Sequence, residues 1–196
     1  NGRWGLKKKN SRNYGHQKGI ETVETIIKES IKKNIKFLTL FAFSTENWKR
    51  PKSEVNFLFK WLSIYIDKET DKFVKENIKI CIIGDTKKFP LSLRKKLKKI
   101  ERATYKNNLI QVNIALNYGS RQEIVNSTRQ ILKHSLTINI KNINKFLYTK
   151  NIPDPEIIIR TGNKQRISNF LMWQCIYSEI FFEKKLWPDF NKNDFR

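Results

Sequence analysis

Along this chain the hydrophobic period changes again and again, from the 3.6-residue spacing of a helix to unbroken apolar runs the length of a strand. Ile20, Val23, Ile26, Ile27 and Ile31 mark one helical face, and the apolar run Phe37 to Phe43 follows. Pro51 suits a first helical turn; Val55, Leu58, Leu62, Tyr65 and Ile66 then recur at helical spacing, giving a helix to about Asn77. Lys79 to Ile83 reads as a strand closed by Gly84, Leu93, Leu97 and Ile100 stripe the next helix, and Leu109 to Leu116 is another strand. Ile124 to Leu132 reads as helix, Glu156 to Arg160 as a buried strand, and Asn169 to Gln174 as a helical turn leading to Ile180-Phe181-Phe182. Strands that are almost wholly apolar and separated by helices belong in a parallel sheet covered on both faces. The expectation is one α/β domain with a mostly parallel central sheet flanked by helices. In such a sheet ligands bind beyond the carboxyl ends of the strands.

The 196 residues suit one domain, and 39% hydrophobic content is enough for an ordinary core. Forty Lys and Arg against 18 acids give a net charge of +22, attractive to any polyanion or anionic membrane. The Lys are scattered among Asn and Ile, which fits compositional drift in an AT-rich genome. Cys81 and Cys175 lack the paired spacing of a zinc site and read as buried thiols in a reducing compartment. No apolar run approaches the roughly 20 residues of a bilayer span and no signal peptide is visible, so a cytoplasmic protein is expected.

The polar motifs fall where strands end. Ser44-Thr45-Glu46-Asn47-Trp48-Lys49-Arg50 follows one strand, a density of polar groups that a helix cap alone does not explain. Thr161-Gly162-Asn163-Lys164-Gln165-Arg166-Ile167-Ser168-Asn169 follows another; its guanidinium forks match phosphate oxygens, and glycine admits close backbone approach. A solvated basic loop is the alternative. Asn1-Gly2-Arg3-Trp4 precedes a basic stretch with Arg12 and Gly15-His16, while His134 on a polar helical face reads as structural.

These motifs, with Asn117-Tyr118-Gly119 and Arg121, Ile159-Arg160-Thr161, Trp173-Gln174 and Leu186-Trp187-Pro188-Asp189-Phe190, resemble the successive signatures of cis-prenyltransferases of the undecaprenyl diphosphate synthase type, in order and over essentially the whole chain. The resemblance implies an enzyme condensing isopentenyl diphosphate with an allylic diphosphate such as farnesyl diphosphate, each new double bond being cis. It implies that Asn1, Gly2 and Arg3, with Arg12 and His16, hold the allylic diphosphate, flanked by Trp4 and Trp48. Arg160, Arg166, Ile167 and Ser168 match the isopentenyl diphosphate site. Asn47 matches the residue proposed to assist proton removal, with Ser44, Thr45, Glu46 and Arg50 holding the reacting ends; a neutral amide is a poor base, so a diphosphate oxygen is an alternative acceptor. Mg2+ is the implied cofactor, with Glu179 a metal-associated carboxylate, and an apolar product tunnel would include Ala42, Phe43 and Ile110. A homodimer meeting the inner membrane surface is implied as well.

Two departures stand out. The family's loop reads Asp-Gly-Asn-Gly-Arg, and that Asp would fall two residues before Asn1. The start without Met and the stop in a polar run suggest a single cis-prenyltransferase domain, residues 1 to 196, truncated at both ends; as written it is expected to be nearly inactive alone. Lys164 and Asn163 stand where the family usually has Glu and commonly Gly, so the loop either binds diphosphate directly or weakens metal binding. A catalytically silent, partner-dependent subunit is the rival within the family. Nucleic-acid binding is disfavoured because the aromatics lie in apolar strands or beside the motifs. The trans-type synthases are all-helical with Asp-Asp-x-x-Asp motifs, which this chain lacks.

Overall fold

The computed structural model describes all 196 residues, Asn1–Arg196. Strands β1 (Phe37–Ser44), β2 (Ile78–Ile83) and β3 (Ile110–Tyr118) form a parallel sheet in the order β1-β3-β2. Val112 of the central strand is level with Leu38 on one side and Ile80 on the other. Because side chains alternate across a strand, Ile110, Val112 and Leu116 face one layer and Ala115 the other.

The first layer is the main core. Ile27 of α2 (Arg12–Lys32), Val55, Phe59, Ile66 and Phe73 of α3 (Lys52–Lys75), and Leu93, Leu97 and Ile100 of α4 (Leu91–Ala103) pack there against the sheet. On the second face Ile83, Ala115, Tyr118 and Leu171 form a smaller cluster. The Tyr118 hydroxyl donates to Glu123 of α5 (Ser120–Lys133) at 2.5 Å, and α5 carries α6 (Ile140–Phe146) through a Ser127 to Ile143 carbonyl bond of 2.8 Å. The helix α1 (Gly2–Lys9) and the short α7 (Lys192–Phe195) pack on α2. The chain is thus a single α/β domain with a parallel central sheet between helices, as the hydrophobic periods imply.

A second parallel ladder pairs β4 (Ile157–Thr161) with β5 (Glu179–Glu183), and here the expectation of strands covered on both faces fails. Only Ile158 of β4 is buried; Ile157, Ile159, Ile180, Phe181 and Phe182 are exposed. The segment from Asn169 to Gln174 enters through left-handed angles at Ser168, Asn169 and Leu171, with φ of 51°, 62° and 47°, and makes a single helical turn closed by the Cys175 N–H donating to the Leu171 carbonyl at 2.9 Å. Cys81 and Cys175 are each partly buried, so neither is the enclosed thiol expected, although burial raises the pKa of both. His134 caps α5 and stacks on Phe146 at 5.5 Å, a structural place.

Candidate active site

Strand β1 shifts register against β3 between Phe41 and Phe43 and again before Ser44, and such irregularities re-aim the side chains that follow. Beyond them Thr45–Lys49 forms a 3₁₀ turn in which the Ser44 N–H donates to Asn47 Oδ1 at 3.1 Å. The Trp48 indole N–H donates to Asn117 Oδ1 at 2.7 Å, and its ring packs against Phe43, Phe59 and Phe89. Trp48 therefore serves as a wall of the core directly under the strand exit. Thr45 Oγ1 is buried without a partner and lies so close to Gly119 that a Cβ there would come within 2.6 Å. Arg50 points back toward α3.

On the other side of this exit, α1 and α2 meet backbone to backbone. A Cβ on Gly5 would come within 2.1 Å of the Ser11 carbonyl, and one on Gly15 within 2.1 Å of the Asn1 carbonyl. This contact brings Arg12 beside Gly2, 3.0 Å from where a Cβ would stand, and the Asn1 side chain against Gly19. Trp4 is buried and stacks on Tyr14 at 5.6 Å, with its indole nitrogen enclosed and unpartnered.

Three of the expected site residues share one carboxylate. Glu54, only 6% exposed, accepts from Arg50 Nη1 at 3.0 Å and His16 Nε2–H at 3.2 Å, with Arg12 Nε 3.9 Å away. A carboxylate only accepts, so the His16 proton sits on Nε2. Burial lowers the His16 pKa below 6.5 despite the Glu54 bond, so the ring is mainly neutral at pH 7. Glu54 was not singled out from the sequence; the only local signal is its place four residues after Arg50, since its other partners come from a distant helix.

The third contributor is the loop after β4. Arg160 Nη1 donates to the Arg166 carbonyl and, at 2.7 Å, to Ser168 Oγ, which folds the loop over the strand end around Ile167. Burial first, then the nearby charges of Arg166 and Arg3, pull the Arg160 pKa below its ordinary value. Arg3 itself donates to the Gly162 carbonyl at 2.8 Å, tying α1 to this loop. Gly162 and Asn163 both have positive φ, 96° and 54°, which explains why glycine suits the second position too. Asn169 Nδ2 reaches Glu46 Oε1 at 2.9 Å, joining the loop to the β1 exit. Burial would raise the Glu46 pKa, but the Asn169 bond and its own backbone N–H outweigh it and hold the group ionised. Lys164 is exposed and makes no ion pair. Arg3, Arg12, Arg160 and Arg166 thus surround one edge of the fold.

Glu179 lies elsewhere. It opens β5 level with Ile157, at the amino end of the ladder, whereas Arg160 and Thr161 stand at the carboxyl end about 10 Å along. No group of three or more His, Cys, Asp or Glu side chains is gathered as a metal-binding set. The carboxylates of this chain by themselves do not fit a magnesium site. Of the expected tunnel residues, Phe43 and Ile110 belong to the main core, while Ala42 is exposed.

An α/β fold that brings cationic and amide groups from three loops to one sheet edge is the layout of an enzyme for phosphate-bearing substrates. The prenyltransferase family model described as undecaprenyl diphosphate synthase matches residues 1–196, and the chain belongs to this family of prenyl-transferring enzymes. The isoprenyl transferase of Clostridium tetani is 43% identical over 98% of this chain and 78% of its own length. The farnesyl-diphosphate-specific ditrans,polycis-undecaprenyl-diphosphate synthase of Wigglesworthia glossinidia brevipalpis is also 43% identical, over 97% of this chain and 76% of that protein. Lavandulyl diphosphate synthase of Lavandula x intermedia, solved with dimethylallyl diphosphate, superposes with a TM-score of 0.92 at 29% identity, covering 98% of this chain and 86% of that one.

Proposed function

We propose that the protein condenses isopentenyl diphosphate with an allylic diphosphate of the farnesyl type, repeatedly and in cis, to make a long-chain polyprenyl diphosphate. The observation that carries the reading is the bond from Arg3 to the Gly162 carbonyl, which sets two cationic clusters side by side. Gly2, Arg3 and Arg12 hold the allylic diphosphate at the start of α1, where free backbone N–H groups favour an anion. Arg160, Arg166 and Ser168 hold the isopentenyl diphosphate. The allylic C–O bond breaks with its electrons leaving on diphosphate, the isopentenyl double bond supplies the new C–C bond, and a proton is lost from the adjacent carbon. Asn47 Oδ1 is already engaged by the Ser44 N–H, so the proton goes to a diphosphate oxygen, with Asn47 positioning.

Magnesium is the cofactor expected in this family, but no step is assigned to it through the carboxylates of this chain. The growing chain occupies the apolar layer around Phe43. The exposed apolar faces of β4 and β5, continued by Ile176 and Tyr177, are the seat of a second copy in a homodimer. No helix is long and apolar enough to cross a membrane, and we place the protein at the cytoplasmic side, in peripheral contact with the inner membrane.

The test is turnover of farnesyl and isopentenyl diphosphates by the full-length protein. Arg160→Ala should lower kcat/KM for isopentenyl diphosphate by about 100-fold or more, the loss of a charge-assisted phosphate contact of roughly 3 kcal/mol. Absence of any polyprenyl diphosphate with every allylic primer would reject the reading.

A further inference from the structure

Helix α4 shows two different faces. Leu93, Leu97 and Ile100 are fully buried in the main core. On the outward side Leu91, Lys95, Lys98, Arg102 and, just past the helix, Tyr105 recur every three or four residues and so form one line. Lys95, Lys98, Lys99 and Arg102 with Ala103 share one open patch of the helix surface. Leu91 is 61% exposed and Tyr105 72% exposed, one at each end of the cationic row.

Lys95, Lys98, Lys99 and Arg102 meet no carboxylate, as is true of most lysines in this chain; what marks α4 is its charge density, six cations against one acid in 13 residues. The one acid of the helix, Glu101, is turned to the sheet edge, where it accepts from the Ile82 N–H at 2.8 Å.

We propose that the outward face of α4 is a docking surface for an anionic lipid bilayer, which rests on the prenyltransferase reading only in the choice of a bilayer as partner. The cations supply long-range attraction to acidic headgroups. An aliphatic and a phenolic side chain at the two ends suit the headgroup boundary, where amphipathic rings and apolar tips settle. Three of the four cations are Lys, compact point charges instead of the planar forks that favour bidentate phosphodiester contacts, and no aromatic is interleaved between them for base stacking. The same helix roofs the apolar layer assigned to the growing chain, so docking here sets that layer against the membrane.

The experiment is co-sedimentation of the full-length protein with vesicles of phosphatidylglycerol and phosphatidylcholine, and with phosphatidylcholine alone. Replacing all four cations, with Lys95→Gln, Lys98→Gln, Lys99→Gln and Arg102→Gln, should lower partition onto acidic vesicles at least about tenfold. A control of equal charge change, Lys133→Gln, Lys141→Gln, Lys145→Gln and Lys150→Gln, should change it less than about twofold, since a distant face lies beyond the screening length. Equal losses in both sets, or no preference of the parent protein for acidic vesicles, would overturn the proposal. So would tighter binding of the α4 face to a polynucleotide than to vesicles in the same buffer. Turnover in detergent, measured alongside, keeps the outcomes apart: a variant that turns over normally but loses vesicles speaks to the surface alone.

Discussion

The β1-β3-β2 sheet and the β4–β5 ladder are built from similar apolar runs, yet the first is enclosed by helices of its own chain and the second presents Ile157, Ile159, Phe181 and Phe182 to solvent. An apolar strand records that something covers it without recording whether the cover is intramolecular. The first region supplies stability within one chain. The second supplies half of the cationic site and an apolar face that residues 1–196 leave exposed.

The sharpest way to break this contrast is truncation in each region. Ile80→Ala, in the enclosed sheet, should cost about 2–5 kcal/mol in urea unfolding through lost contacts and a residual cavity. Phe181→Ala should stay within about 0.5 kcal/mol at low protein concentration, as exposed positions do. Equal costs would mean the ladder is covered within the chain. Next, Glu54→Gln removes the one anion among Arg12, His16 and Arg50, and a loss of about 1–3 kcal/mol is expected for unpairing buried partners. An unchanged urea midpoint would show that these cations do not depend on it.

A smaller effect tests the open region as a dimer face. Phe181→Glu should raise the dimer dissociation constant at least about tenfold, or 1.4 kcal/mol, in sedimentation equilibrium. Smallest is a pH effect in the enclosed region. The folded pKa of His16 is below 6.5, so the folded state binds its proton more weakly than the unfolded chain. Its stabilising contribution is complete above 6.5 and is lost as the pH falls through the folded value. Cooling of the melting temperature between about pH 7.5 and 5.5 should therefore be smaller in His16→Gln than in the parent; identical shifts would discount His16.

Most of the fold could be read from hydrophobic period, because strands such as Lys79 to Ile83 are bounded by helices with clear stripes. The exposure of β4 and β5 could not, since a continuous apolar run is the same whichever chain covers it. The left-handed entry to the turn at Leu171 could not be read, because the angles of Ser168, Asn169 and Leu171 leave no local pattern, two of these residues not being glycine-like at all. In the site, motif resemblance located the arginines on three loops, and the structure brings them to one edge. It could not show that Glu54 gathers three of their neighbours, nor that Glu179 starts its strand at the far end from Arg160.

The contact between α1 and α2 carries a final implication. Where Gly5 and Gly15 bring two backbones into contact, no side chain stands between them to yield, and the start of α1 is held by atoms common to every residue. Even a single methyl at Gly5 or Gly15 acts as a wedge, displacing the anion-facing turn by a large fraction of an ångström while every charged group of the pocket is still present. Variation can then reshape the charges around this corner far more freely than it can thicken the hinge on which they are mounted.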